Sequence, residues 1–217
     1  EQMKAEGAEA TMMFIHWGTE NMLKENSLQD TMAQKLCDMG FDAIIGGHPH
    51  VVQPVDMLTS TVDPDHSAVV IYLGNAVSNQ RLGNLKSINT AHTEDGVLFT
   101  VTFEKYSDGK VYLQGVDLLP FWVNMRTDSE GKRKYPIIPL DKQDEDQWAS
   151  EFDLTDQMLS SVRSSYDRTM AIVSDGMEKC RTYLEQQKAD REAYYQDLAN
   201  HPETYVPSTV PEETAGE

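Results

Sequence analysis

Two apolar runs of strand length, Ala10-Thr11-Met12-Met13-Phe14-Ile15 and Phe41-Asp42-Ala43-Ile44-Ile45, stand on either side of a helical pattern. Short runs of this kind, mostly unbroken by polar residues, read as parallel strands covered on both faces. Between them, Ser27-Leu28-Gln29-Asp30 has the form of a capping box, with Asp30 in place of the usual Glu or Gln. Leu28, Met32, Leu36 and Met39 then recur at helical spacing as one apolar stripe, and Gly40 suits the position after a helix end. Strand, helix and strand over residues 10–45 make a βαβ unit, whose crossover is right-handed. The carboxyl ends of both strands must then open on the same edge of one sheet, where α/β folds gather their ligands. The methionines of the stripe read as core packing.

Both of those strand ends deliver histidine. The first run closes on His16-Trp17-Gly18 and the second on Gly46-Gly47-His48-Pro49-His50. The glycine pair lets the backbone turn sharply and approach its neighbours closely, and Pro49 holds its own φ. Imidazole is the commonest protein ligand for zinc-like metals, so a rigid His-x-His at a strand end is half of a candidate metal site. Taken singly, His16 reads equally as a satisfied core histidine, and His48 and His50 as residues of an ordinary turn. Two successive strand ends with histidine favour a shared site. Glu20 follows His16 by one helical turn's worth of chain and could accept a hydrogen bond from a ligand or contact substrate.

Downstream, residues 51–58 read as an extended segment in which Pro54 predicts an edge or an irregularity. Residues 59–67 form a polar turn that leaves His66 to solvent. Ala68–Leu73 is a buried strand ending in Gly74-Asn75, where Asn75 either donates into the site or caps the turn. Arg81, in the loop after Ser78-Asn79-Gln80, is either an anion contact or a solvated loop residue. Alternating runs at 96–103 and 111–119 flank Tyr106-Ser107-Asp108-Gly109-Lys110, whose Asp-Gly predicts a hairpin. Segments 120–123 and 135–140 read as extended chain wrapping the core, with the basic loop Lys132-Arg133-Lys134 between them. From about 141 the pattern turns helical. Leu154, Met158, Val162, Met170, Val173, Met177 and Leu184 predict one or two amphipathic helices over 153–195. The Pro/Glu/Thr-rich residues 201–217 predict disorder. The expected organisation is a domain over 1–140, a helical appendage over 141–200 and a tail over 201–217.

Charge narrows the function classes. The net charge is −18, with 18 acidic against 11 basic residues in 1–140 and 18 against 7 in 141–217. Nucleic acid and anionic membrane surfaces repel such a chain. No apolar run is long enough to span a bilayer. Cys37 and Cys180 lie far apart and outside any Cys-x-x-Cys cluster, so both are expected as free thiols. The chain opens on Glu1-Gln2-Met3-Lys4 and reaches a strand almost at once, which reads as a piece of a longer protein with any export signal upstream.

In order and spacing, His16-Trp17-Gly18-Thr19-Glu20, Gly46-Gly47-His48-Pro49-His50 and Tyr72-Leu73-Gly74-Asn75 resemble the bacterial poly-gamma-glutamate capsule-synthesis (CapA-type) family, itself similar to the calcineurin-like metallophosphoesterases. Val51-Val52-Gln53-Pro54, Ser78-Asn79-Gln80-Arg81 and Ile137-Ile138-Pro139-Leu140 look similar to that family too. The resemblance covers about 10–140 and implies an α/β fold, the C-terminal part of a four-layer α/β/β/α sandwich. It implies that His16 and His48 bind one divalent metal and His50 a second, in a two-metal (Mn, Fe or Zn) hydrolase-like site. There Glu20 and Asn75 would serve catalysis and Arg81 would bind substrate. Nothing here matches the superfamily's upstream motifs, so this stretch alone is expected to be inactive. The implied partners are an anionic polymer or phosphoester substrate and an envelope synthesis complex, with an extracytoplasmic location. A non-catalytic polymer-handling or assembly component is the alternative.

Overall fold

The computed structural model describes residues 2–84, 86, 88–141 and 149–201. After a short helix α1 (Gln2–Ala5), β1 (Met12–His16), α2 (Ser27–Asp38) and β2 (Ala43–Gly47) form the βαβ unit, with β1 and β2 parallel and His16 in register with Gly47. β3 (Val52–Thr59) and β4 (Ser67–Leu73) complete a four-stranded sheet of order β1-β2-β4-β3, in which β4 is parallel to β2 and β3 antiparallel to β4. Pro54 falls where its missing N–H costs least: β3 is an edge strand, and its register breaks between Gln53 and Asp56.

A second sheet joins β5 (Asp95–Lys105), β6 (Val111–Val123) and β9 (Ile137–Pro139), all antiparallel, with a small ribbon of β7 (Arg126–Thr127) and β8 (Arg133–Lys134) between the last two. The Asp108-Gly109 turn closes the long hairpin, with the Tyr106 N–H donating to the Lys110 carbonyl. The segment 120–123, expected as wrapping chain, instead continues β6. Val97, Phe99, Val101 and Phe103 point inward on alternate positions of β5 and meet Ala43, Ile45, Val69 and Ile71 of the first sheet. Their outward neighbours Leu98, Thr100, Thr102 and Glu104 are exposed, so among the described residues no helical layer covers the second sheet.

A single helix α3 (Asp156–Asn200), capped by the Thr155 hydroxyl, lies along β3 and β6 and seals the core at that flank. Val162, Val173 and Leu184 are buried in it, with Met158, Met170 and Met177 partly so, as the sequence pattern predicts. The expected disordered tail lies outside the described residues.

Two details differ from the pattern. The N-cap of α2 is Asn26, one residue earlier than expected: its side chain accepts from the Leu28 and Gln29 N–H groups while the Gln29 side chain accepts from Asn26 N–H. The buried face of α2 is correspondingly Gln29, Ala33 and Cys37, whereas Leu28, Met32 and Met39 are exposed. β1 is likewise not a buried strand. It is the other edge of the sheet, with Met12, Phe14 and His16 exposed and Met13 and Ile15 packed toward α2.

Candidate metal centre

The parallel pairing of β1 and β2 sets the site. It brings His16 beside Gly47, and the next residue, Trp17, donates its N–H to the Gly47 carbonyl at 3.1 Å. The two following loops are tied as well, since Asn21 N–H donates to the Pro49 carbonyl at 2.8 Å. The imidazoles of His16 and His48 consequently lie 4.6 Å apart between ring centroids, and those of His48 and His50 6.2 Å apart. The three predicted histidines form one contiguous group at the strand ends.

The turn is made differently from the expectation. Gly46 is needed for space: a Cβ there would press on the Tyr72 ring and come within 2.7 Å of the Trp17 indole nitrogen, whereas one at Gly47 would meet nothing. The sharp change of direction belongs to the histidines themselves. His48 has φ 94° and His50 φ 61°, both in the left-handed region that L-residues avoid. Each such residue costs on the order of 1–3 kcal/mol and persists only where the surroundings over-determine it, a pattern that gathers at functional sites. Proline between them has its φ fixed, so the strain falls on its neighbours.

His50 has a defined tautomer. Its Nδ1 lies 3.0 Å from Asn75 Oδ1. The other end of that amide faces the carbonyls of His50 and Thr93 and the side-chain oxygen of Gln80, at 3.1, 3.0 and 3.3 Å. Nδ2 must therefore be the donor end, Oδ1 the acceptor, and Nδ1 the protonated ring nitrogen, which leaves the Nε2 lone pair for a ligand. An acceptor behind one imidazole nitrogen is the usual support of a metal-binding histidine. Asn75, 9% exposed, thus holds a histidine in place.

The remaining predicted residues fare differently. Glu20 stands exposed on the turn after β1. The Arg81 guanidinium donates to Glu94 at 3.0 Å and to the Val123 and Met125 carbonyls at 2.7 and 3.3 Å, which ties its loop to the end of β6. Its charge is paired with Glu94, while its Nε has no partner among the described residues. In the basic loop, Lys132 pairs with Glu130 and Lys134 with Asp128. His66 is not a solvent residue: its Nε2 lies 3.0 Å from the Phe41 carbonyl. Both thiols are free and buried, pushed up by desolvation to about 11 at Cys37 and about 12 at Cys180, which makes them poor nucleophiles.

The sequence pattern does not show that Gln53 and Gln29 support the site. Buried Gln29 donates to Gln53 at 3.0 Å, and Gln53 donates to the Met22 and Lys24 carbonyls, so a polar pair under the sheet end fixes the loop that leaves His16. A glutamine in an edge-strand pattern gives no periodic signal.

As a donor set, three imidazoles are of the kind that part of a metal centre uses. Imidazole chemistry and the oriented Nε2 of His50 suit a borderline divalent ion. Among the described residues, however, no group of three or more His, Cys, Asp or Glu side chains has the geometry to enclose one. Comparison with known proteins agrees with the histidine-bearing strands. Residues 1–80 match the family model described as bacterial capsule synthesis protein PGA_cap. This part of the chain, less than half of it, is similar to that capsule-synthesis family. The chain is 28% identical to the PGA biosynthesis protein CapA of Bacillus subtilis (strain 168) over 111 residues, 51% of this chain and 26% of that protein. It is 33% identical to the capsule biosynthesis protein CapA of Bacillus anthracis over 78 residues, 36% of this chain and 17% of that one. The chain therefore spans about a quarter or less of these relatives. The family match ends after the third strand end, so His16, His48, His50 and Asn75 lie inside it and α3 lies outside.

Proposed function

We propose that this chain contributes His16, His48 and His50 to a dinuclear divalent-metal site of a capsule-biosynthesis protein with hydrolase-like activity. The substrate class is a phosphoester, or an amide or ester of an acidic envelope polymer such as poly-gamma-glutamate, and the place of action is the cell envelope. The observation that carries the reading is the convergence of three imidazoles at adjacent parallel strand ends, two of them held at positive φ and one with its Nε2 freed by Asn75. When bound, two metal ions supply a nucleophile at neutral pH and a clamp for the developing charge. The protein's own share is orientation: the β1–β2 register sets the separation of His16 and His48, and Asn75 sets the His50 tautomer. Carboxylate or further imidazole ligands come from sequence outside these residues.

Elemental analysis of the full-length protein tests this directly. About two equivalents of transition metal per chain are expected, falling on His48→Ala together with turnover of phosphoester or polymer substrates. No metal after supplementation with manganese, iron and zinc would sink the reading. It would favour a non-catalytic polymer-handling or assembly role.

A further inference from the structure

The helix α3 lies beyond the family match, yet it reaches the site through a continuous set of bonds. Asp95, 1% exposed at the start of β5, receives the Ser165 hydroxyl at 2.6 Å and the Arg168 guanidinium in a two-pronged grip, Nη2 at 2.7 Å and Nε at 3.0 Å. Asp95 caps the 3-10 turn Ala91–Glu94, and Arg168 also reaches the Ala91 carbonyl at 3.5 Å. That turn presents the Thr93 carbonyl to Asn75 Nδ2, while the Asp95 carbonyl accepts from the Asn75 backbone N–H at 3.4 Å. Gly74 bridges to Gly96 at the same point, and a Cβ on Gly74 would fall 2.6 Å from the Asp95 carbonyl, so the two segments are in close contact. Asn75 then holds His50.

We propose that Ser165 and Arg168 of α3 are positioning residues for His50, acting through Asp95 and the 91–95 turn on the Asn75 amide. The inference rests on the metal-site reading for its functional meaning, but the coupling itself is a property of the metal-free chain. Its physical basis is that the Asn75 amide has one acceptor, facing His50, and two donor hydrogens shared among three acceptors, of which the Thr93 carbonyl is the nearest. If the Thr93 carbonyl shifts, the amide can rotate, and the His50 Nδ1 proton loses its acceptor. Three elements that no single ladder connects are thereby fixed by one buried ionic contact, and a buried ion pair of this kind specifies an arrangement more than it stabilises one.

Long-range 1H–15N spectra of the imidazoles, recorded on the metal-free full chain, read the coupling. The wild type is expected to show His50 as the Nδ1–H tautomer with a slowly exchanging proton. Arg168→Gln should convert His50 to a mixture of tautomers while His16, which is off this path, keeps its shifts. Arg168→Lys, which restores the charge without the fork, should recover the signal in part. Ser165→Ala gives the same reading with a smaller perturbation and decides the matter if Arg168→Gln does not fold. In parallel, Zn2+ titration should show roughly tenfold weaker binding in Arg168→Gln, the low end of what supporting residues contribute. An unchanged His50 tautomer in folded Arg168→Gln or Ser165→Ala overturns the inference. Absence of Zn2+ binding in the full-length wild type would overturn the metal reading instead, and the tautomer measurement would still decide the coupling.

Discussion

The two flanks of the first sheet are finished in opposite ways. At β3, helix α3 packs so closely that a Cβ on Gly176 would be driven into the Val55 carbonyl, and Val173, Cys180 and Leu184 are buried around it. At β1, the outer backbone edge has no partner among the described residues, and Met12 and Phe14 stand 48% and 69% exposed. The candidate metal centre sits toward the open flank, and the Asn75 brace of His50 is anchored to the closed one. Burial and bonding therefore concentrate away from the candidate site, while His16 is exposed and His48 and His50 are half-buried on strained backbone. On the proposed reading the site admits metal and substrate, so it is not packed like a core. The rigidity it needs comes from the other side of the molecule.

Breaking the closed flank should have the largest effects. Arg168→Met leaves the buried Asp95 carboxylate with the Ser165 hydroxyl and, 3.8 Å away, the His92 ring nitrogen, and losing one partner of a buried pair costs about 3–5 kcal/mol, read as a fall in the urea midpoint. Burial already raises the Asp95 pKa, with the Arg168 hydrogen bonds and charge opposing. Without the guanidinium that rise should grow. A carboxyl whose folded pKa exceeds its unfolded value of about 3.9 favours folding most below that value, and the contribution is lost as pH rises through the folded pKa. The Arg168→Met deficit should accordingly shrink on acidification toward pH 4 and be full at pH 7; a pH-independent deficit would mean that Asp95 had found another cation. Gly176→Ala comes next. Alanine in a helix interior is ordinarily worth about 1 kcal/mol over glycine. Here the contact with Val55 should reverse the sign to a loss of about 2–3 kcal/mol, and a stabilised variant would show that α3 can slide off β3.

The same contrast explains what could be read from residues alone. The βαβ unit, the edge position of Pro54, the Asp-Gly hairpin and the inward face of α3 follow from periodicity and turn chemistry, and each was legible. The phase of α2 was not. Leu28, Met32 and Met39 look like the buried stripe, yet Gln29 is the inward residue because its side chain serves both the Asn26 cap and the buried bond to Gln53. Counting apolar positions cannot see a polar side chain whose partners lie in another strand. The partners of Arg81 are hidden for the same reason, since the Val123 carbonyl and the Glu94 carboxylate that it meets come from β6 and the 91–94 turn. The histidines were legible because strand ends are local features. Their positive φ was not, because nothing in Gly-Gly-His-Pro-His assigns the turn to the imidazole-bearing residues.

On the open flank the expected effects are smaller and change sign. His48→Gly removes an imidazole but also relieves a φ of 94°. The relief, about 1–3 kcal/mol, is set against roughly 0.5–1 kcal/mol of added backbone entropy in the unfolded chain. The variant should be as stable as the wild type or up to about 1–2 kcal/mol more so by urea titration, while losing metal. Stability that falls instead would make His48 a packing residue rather than one held in place for a ligand.

Phe14→Thr should do least to folding and is the sharpest test of the asymmetry. Phe14 sits at the middle of a strand of the central βαβ unit, paired with Ile45, and by sequence belongs to the core. In the structure the strand's inward side chains are Met13 and Ile15. Truncating a buried phenylalanine costs about 3–5 kcal/mol, whereas a change at an exposed position stays within about 0.5 kcal/mol. Threonine is β-branched and suits a strand as the aromatic phenylalanine does, so propensity does not confound the reading. The expected result is an unchanged urea midpoint in the chain as given, with less self-association, because an apolar edge strand is a template for pairing. A loss of several kcal/mol would mean that this flank is covered in solution, and the open side of the comparison would have to be redrawn as an interface.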